Sequence, residues 1–332
     1  MIERPLQIRV GNIHLARILR IVVVAIFTST IASTAASIGT AQLAGASGSG
    51  ASAVPGRQSE KSSSIVQSGP SDSDRAIRGY VGFAGDWFVD PAGHVGRLSS
   101  SDAFYGEMSP ECYDAGDYCP PSTTPHLAAP IVGMAATSDM KGYWLVGADG
   151  GVFAFGDAPF LGSASNLKLN APIVAMHGTP SGHGYWLVGA DGGVFAYGDA
   201  RFLGSASNFQ LATQVDGIAV SSDGMGYWLV AKDGGVFAYG DAQFYGSMGG
   251  RPLADRVVGM SRTSDGLGYF LVGADGGLFA FGDASFAGSL IGSQVPPGFT
   301  IGIAVNGVDG ASGAGSSGYW FKIADGSQFT IN

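Results

Sequence analysis

The sequence is poor in the residue types on which common enzyme chemistry depends. After residue 60 it holds two glutamates, Glu107 and Glu111, and the 332 residues include only five histidines and two cysteines. It contains no nucleophile elbow, Cys/His pair, HExxH motif or phosphate-binding loop, and its Gly-x-Gly patterns lie at turns. These shortages argue against an enzyme, and we expect no cofactor.

Positive charge is also scarce. Lys and Arg number 17 against 26 Asp and Glu, which gives a formal net charge of −9. Residues 1–46 hold four Arg and one Glu, a net +3, so the charge without them is −12. No basic patch remains to contact a phosphate backbone, and we expect no nucleic-acid partner.

Glycine, by contrast, is abundant, and most of the 55 glycines belong to a repeat. The segment GYWLVGADGGVFAFGDAPFLGSASN, residues 142–166, recurs at residues 184–208 with two substitutions. Looser copies begin at Gly226 and Gly268, each 42 residues after the one before, and a shortened copy begins at Gly318. A period of roughly 40–45 residues is typical of one blade of a β-propeller.

Each repeat predicts four short antiparallel strands and shows no helical period. Residues 131–137 and 143–147 are apolar, and Asp149-Gly150 after them is typical of a tight hairpin turn. Residues 152–155 form the third strand by their alternation, and residues 160–163 begin a fourth.

The repeats therefore predict an all-β protein, a β-propeller over residues 75–332 with six blades, five or seven being the alternatives. The predicted blades are approximately 76–108, 131–171, 173–213, 215–255, 257–297 and 299–332, with an insertion at 109–130. The last blade lacks a fourth strand, and Ser64–Gln67 is the segment predicted to close it.

Residues 1–46 have the pattern of an export signal, with an apolar centre at Ile21–Phe27 followed by small residues. The basic residues before that centre are Arg4, Arg9, Arg17 and Arg20. An uncleaved membrane anchor over Ile21–Ile38 and a buried helix are the alternatives. Residues 47–74 are rich in Ser and Gly and predict a flexible linker. We expect a secreted or envelope-associated protein that meets a membrane only through an uncleaved N-terminal segment.

The two cysteines, Cys112 and Cys119, both lie in the insertion. In an exported protein a close, even pair predicts a disulfide bond. A metal site is the alternative, but no further Cys or His stands at ligand spacing.

Aspartates recur at three positions of the repeat. The hairpin-turn set is Asp149, Asp191, Asp233 and Asp275; the set in the Gly-Asp-Ala turn is Asp157, Asp199, Asp241 and Asp283; the set before the Gly-Tyr strand is Asp139, Asp223 and Asp265. We interpret them as structural, each carboxylate accepting backbone N–H groups of its own turn. A ring of calcium ligands is the alternative, but no turn carries the second close carboxylate that such a site needs.

The aromatic columns predict packing between blades, because each face of a blade must be covered by its neighbour; stacking on sugars is the alternative. We place Trp144, Trp186 and Trp228 in this core together with Phe160, and we expect Tyr143 and its counterparts to be the more exposed set. Three polar residues, His177, Asp216 and Arg262, interrupt the apolar first strands. They either line the central channel or are simply solvated.

The repeat GYWLVxxDGGVFxFGDAxFxGS resembles one found in exported proteins of actinobacteria and, more remotely, the repeats of tectonin-type propellers. Residues 221–228 are similar to the Asp-box of sialidase-type propellers, a structural turn in that family. The arginines follow no shared repeat position and suggest no sialidase triad. The resemblance implies recognition rather than catalysis.

We therefore expect an exported, non-enzymatic binding or scaffold module at the cell surface that recognises an envelope glycan or a protein partner. A propeller hydrolase or lyase of cell-wall carbohydrate is the first alternative, but it needs His, Glu or Asp residues outside the repeat pattern. A choline-binding β-solenoid is the second, and the apolar strand between its would-be aromatic turns argues against it.

Overall fold

The computed structural model describes residues 66–68, 81–85, 87–97, 103–108, 127–291, 300–305, 308, 318–325 and 327–331. The chain divides into two compact units, Met1–Ser59 and Glu60–Asn332, and every described residue belongs to the second. The predicted export segment and the predicted Cys112–Cys119 bond lie outside the described residues. Within those ranges, no helix has the length and apolar character needed to span a bilayer.

The described residues form nineteen strands in six antiparallel sheets, which confirms the all-β class and the six-bladed propeller. The first strands of blades 1 to 6 are β2 (Gly82–Ala84), β5 (Ile131–Ala136), β8 (Ile173–Gly178), β11 (Val215–Val220), β14 (Val257–Arg262) and β17 (Thr300–Val305). The second strands are β3 (Trp87–Val89), β6 (Gly142–Gly147), β9 (Gly184–Gly189), β12 (Gly226–Ala231), β15 (Gly268–Gly273) and β18 (Tyr319–Ile323). The third strands are β4 (Val95–Arg97), β7 (Val152–Gly156), β10 (Val194–Gly198), β13 (Val236–Gly240), β16 (Leu278–Gly282) and β19 (Gln328–Ile331).

The first strands of consecutive blades contact one another around a closed circle, and β17 of blade 6 contacts β2 of blade 1. We call the upper face the end of the ring that carries the turns between first and second strands, such as residues 137–142. The lower face carries the turns between second and third strands, such as residues 148–151. Apolar side chains of adjacent sheets fill the space between blades, so both faces of each sheet are buried.

The ring is closed by a strand from near the start of the unit. Strand β1 (Val66–Ser68) pairs antiparallel with β19, with Val66 opposite Thr330 and Ser68 opposite Gln328. The sequence predicts this strand at Ser64–Gln67, and the structure has it at Val66–Ser68, which is also within the segment 47–74 predicted as a linker. Blade 6 thereby joins residues that are far apart in sequence.

A buried lysine that the repeat pattern did not predict also links the last blade to the first. Lys322 is 1% exposed and stands where the other repeats carry Val146 or its equivalents. Its Nζ donates to the Gly85 carbonyl of blade 1 (2.9 Å) and to Gln328 Oε1 (2.8 Å). It also lies over the rings of Phe83 and Phe88 of blade 1. A charged residue at a strand position where the other repeats carry valine was the sequence feature that could have predicted it.

The prediction of four strands per blade is wrong for five of the six blades. In the described residues blades 1 to 5 have three hydrogen-bonded strands, and only blade 6 gains a fourth, from β1. Residues 160–163, which follow the third strand of blade 2, form no strand and are held by side chains; we call them and their equivalents in other blades the outer segment. Trp144 Nε1 donates to Pro159 O (2.8 Å), and the Tyr185 hydroxyl of blade 3 donates to Gly162 O (2.5 Å). These bonds satisfy backbone groups that a fourth strand would otherwise pair.

The predicted exposure of two aromatic sets is reversed. The tyrosines expected at the surface are at most 1% exposed: Tyr143, Tyr185, Tyr227, Tyr269 and Tyr319. Phe160, predicted in the core, is 63% exposed, and its counterparts Phe104, Phe202, Phe244 and Phe286 are exposed as well. The tyrosines are buried because they bridge one blade to the outer segment of the preceding blade, whereas the phenylalanines point outward from that segment.

Candidate functional site

A cavity of about 330 Å³ opens at the upper face, where the first strands of all six blades end. Its deeper wall consists of apolar side chains, one from each of five blades: Met134, Met176, Ile218, Met260 and Ile303. Hydroxyl groups surround them toward the upper turns, and these belong to Thr137, Ser138, Thr179, Ser221, Ser222 and Ser261. We call this cavity the channel mouth. It offers an apolar floor inside a ring of hydrogen-bonding groups.

Two of the three polar residues singled out in the first strands line the channel mouth. His177, in blade 3, stands where other blades carry Ala135 or Ala219, and its Nδ1 donates to Gly178 O at 2.8 Å. This bond requires that the imidazole carry a proton on Nδ1. Arg262, in blade 5, stands where other blades carry Ala136 or Val220. The mouth therefore departs from the repeat at these two positions.

The guanidinium of Arg262 is held by the turn that follows its strand. Its Nη1 donates to the carbonyls of Thr263 and Ser264, both at 3.1 Å. Its Nε is buried and has no hydrogen-bond partner among the residues that the structure describes. Among the described residues that line the mouth, Arg262 is the only Lys or Arg, and none is Asp or Glu.

The third polar residue, Asp216, does not line the channel mouth. It lies at the beginning of β11, toward the lower face, where its Oδ1 is 3.4 Å from Lys232 Nζ. Burial raises the pKa of Asp216, and the neighbouring Lys232 partly offsets that rise. The structure therefore brings His177 and Arg262 to one opening and leaves Asp216 apart.

The hairpin-turn aspartates bond within their own turns. Asp149 Oδ1 accepts from Gly151 N at 3.0 Å, and the equivalent bonds of Asp191, Asp233 and Asp275 are 2.9, 3.0 and 2.9 Å. The Gly-Asp-Ala set behaves differently, because Asp199 and Asp283 accept from hydroxyls of the upper turn, Thr179 (2.9 Å) and Thr263 (3.2 Å). Asp157 accepts in the same way from Thr137.

In three blades an aspartate of the upper turn lies near that of the Gly-Asp-Ala turn, contrary to the expectation that no turn has a second one nearby. Asp265 and Asp283 accept from the same Thr263 hydroxyl, and Asp139 and Asp157 from that of Thr137. Asp223 and Asp241 interact with each other in the same place of blade 4. Desolvation and the partner carboxylate raise the pKa of Asp241, whereas the Met225 N–H and the Ser221 hydroxyl lower that of Asp223. The hairpin register brings the pair together, since Gly226 lies opposite Gly240.

The carboxylate pairs do not amount to a metal centre. In the part of the chain that the structure describes, no group of three or more His, Cys, Asp or Glu residues is placed to hold a metal ion. Calcium requires six to eight oxygen ligands, more than a pair of aspartates supplies. The channel mouth is thus the stronger candidate for a functional site.

Comparison with family models and with curated proteins returns no match to this chain. The function therefore has to be inferred from the channel mouth itself, with its apolar floor, hydroxyl ring and single fixed cation.

Proposed function

We propose that this protein is an exported, non-enzymatic binding or scaffold module at the cell surface, and that its propeller recognises an envelope glycan at the channel mouth. The observation that carries the proposal is the composition of the mouth. Five blades contribute the apolar floor and four of them the hydroxyls, and His177 and Arg262 interrupt the repeat there. A concave site that combines apolar surface with a few convergent polar groups is typical of ligand pockets.

A glycan suits this lining better than a protein partner does. A sugar ring presents hydroxyls around its edge and C–H groups on its faces, which match the exposed hydroxyls of Ser138 and Ser222 and the apolar floor. The lining residues in the described ranges include no Asp or Glu, and most glycoside hydrolases need a pair of these carboxylates, so the proposal favours binding over hydrolysis. Export of the protein rests on the basic and apolar pattern of residues 1–46.

The test is binding of the full-length protein to polysaccharide extracted from the envelope of the producing cells. Ser222→Trp places a large side chain at an exposed position of the mouth, and Ser207→Trp makes the same change at an exposed position outside it. We expect Ser222→Trp to weaken binding at least tenfold and Ser207→Trp to leave it unchanged, with both variants folded by circular dichroism.

Four results would contradict the proposal. Equal binding by the two Trp variants would show that the binding site is not at the mouth. Loss of binding only when residues 109–128 are deleted would show the same. Release of reducing ends from the polysaccharide would show catalysis. Binding to a surface protein but to no polysaccharide would exclude the glycan.

A further inference from the structure

The guanidinium of Arg262 has hydrogen-bonding capacity that the protein does not use. An arginine offers five N–H donors, and the two on Nη1 account for the bonds to Thr263 O and Ser264 O. Nε is buried without a partner. Nη2 makes no hydrogen bond within the described residues, and its N–H groups can donate to a carboxylate.

The nearest acidic turn does not neutralise this cation. Asp265 Oδ1 accepts from Thr263 Oγ1 (2.8 Å) and from Leu267 N (3.1 Å), and its side chain lies beside Asp283. No ion pair joins Arg262 to any carboxylate of the described residues. A half-buried cation with an unpartnered N–H is costly for a fold to retain, so its presence calls for a reason.

The charge of the residues that line the mouth also favours an anionic ligand. The chain carries 26 Asp and Glu against 17 Lys and Arg, yet the described lining of the mouth includes one arginine and no acid. An opening with a single fixed positive charge and hydroxyls around it attracts an anion and repels cations. The other two arginines of this region, Arg251 and Arg256, are exposed and do not line the mouth.

We infer that the channel mouth binds an acidic sugar residue of the glycan and that Arg262 receives the carboxylate of that residue. The hydroxyl ring contacts the sugar hydroxyls, and Met176 and Met260 lie beneath the C–H face of the ring. Arg262 thus determines specificity for acidic over neutral glycans. This inference rests on the proposed function, because it assumes that the glycan enters the mouth.

The experiment compares two forms of the same envelope polysaccharide, before and after its carboxylates are converted to neutral amides. Oligogalacturonate and its methyl ester provide a defined pair of the same design. Calorimetric titration of the full-length protein should show at least tenfold weaker binding of each neutral form. Arg262→Gln should remove this preference, and Arg262→Lys should restore it only in part, since a lysine ammonium lacks the planar guanidinium that bonds to the turn carbonyls and the ligand together. Arg256→Gln, an exposed arginine at the other end of the same strand, is the matched control and should change nothing.

The outcomes separate the two proposals. If the acid and neutral forms bind equally, or if Arg262→Gln retains the preference, the acidic-sugar inference is wrong although glycan binding stands. If neither form binds, the proposed glycan-binding function is wrong, and the acidic-sugar inference is wrong with it. Binding of an acidic peptide such as polyglutamate in preference to both carbohydrates would show that the carboxylate belongs to a protein ligand. That result would contradict the acidic-sugar inference. Comparison of thermal unfolding midpoints shows whether any Arg262 variant has simply lost its fold.

Discussion

At the scale of single residues, the tyrosine of the second strand is the main connection between neighbouring blades. The Tyr227 hydroxyl of blade 4 donates to Gly204 O (2.5 Å) and accepts from Leu203 N (3.1 Å), both in the outer segment of blade 3. Tyr239 lies opposite Tyr227 in the sheet, with ring centroids 5.6 Å apart. Its own hydroxyl is buried without a partner, and burial raises the pKa of Tyr239.

The two tyrosines should therefore respond in opposite directions to the loss of a hydroxyl group. Tyr227→Phe leaves two backbone groups without their partner and should lower the free energy of unfolding by about 1–3 kcal/mol. Tyr239→Phe removes a buried group that bonds to nothing and should raise it by about 1 kcal/mol. Phe155 and Phe281 already occupy the equivalent position in blades 2 and 5. Urea unfolding of both variants checks this, and equal destabilisation would contradict it.

The paired carboxylates of the upper turns predict an effect of pH. The pKa of Asp241 is raised, so its contribution to stability is complete below the unfolded pKa and is lost as the pH rises through the folded value. The pKa of Asp223 is lowered, so its contribution is present above the unfolded pKa and is lost as the pH falls through the folded value. The two aspartates therefore oppose each other across the acidic range.

Asp223→Ser should lower the pKa of Asp241 by removing the like charge beside it. Blade 3 already has this arrangement, because Ser181 replaces the aspartate and its hydroxyl donates to Asp199 Oδ2 at 2.5 Å. Titration of the carboxyl carbons by NMR measures the shift. Asp283 in blade 5 keeps its neighbour Asp265 and serves as the internal control, since its pKa should stay raised. An unchanged pKa of Asp241 would show that desolvation alone sets it.

At the scale of one element, the outer segment depends on a glycine that faces an aromatic ring. Gly204 has a φ of +145°, and a Cβ there would lie 2.4 Å from Tyr239 Cδ1 of the next blade. Glycines at the same place in blades 1, 2 and 4 meet Phe155, Tyr197 and Phe281 in the same way. The close approach of the backbone to the ring is what allows the segment to cover the blade without pairing as a strand.

Gly204→Ala should consequently destabilise the protein by about 2–4 kcal/mol, through overpacking and an unfavourable φ. Phe202→Ser, two residues away in the same segment, is chemically a larger change but affects a side chain that is 61% exposed. We expect it to alter the free energy of unfolding by less than about 0.5 kcal/mol. Thermal or urea unfolding of the two variants distinguishes them, and a reversed order would contradict this account of the segment.

At the scale of the whole propeller, stability depends on closing the circle between the last and first blades. Blade 6 obtains its fourth strand from β1, and Lys322 connects it to the Gly85 carbonyl of blade 1. The contacts of such a closure join residues more than 200 positions apart, as for Lys322 and Gly85 with a separation of 237. Contacts between residues so far apart in sequence hold the ring closed, which contacts within a single blade cannot do.

Replacing Val66–Ser68 with three prolines should remove the N–H donors of β1 and lower the free energy of unfolding by about 2–3 kcal/mol, from the loss of two or three hydrogen bonds. The same replacement at residues 51–53, outside the pairing, is the control and should have no effect. Urea unfolding measures both. Equal stability of the two variants would mean that β1 is dispensable for closure.

The sequence alone was sufficient to determine the β class and the six blades, because a 42-residue period, Asp-Gly turns and alternating strands are local features. It did not determine which aromatics are exposed. In a propeller both faces of every sheet are covered by neighbours, so period-two alternation cannot tell Tyr185 from a surface residue. Phe160 is exposed only because Tyr185 of the next blade holds the outer segment in place.

The candidate site likewise needed the tertiary structure. His177 and Arg262 were recognisable as breaks in the repeat, but 85 residues separate them, and only closure of the ring brings both to one opening. Asp216 breaks the repeat in the same way and lies elsewhere, because it is at the other end of its strand. Local patterns determine what each blade is, whereas the contents of the central channel depend on where all six blades meet.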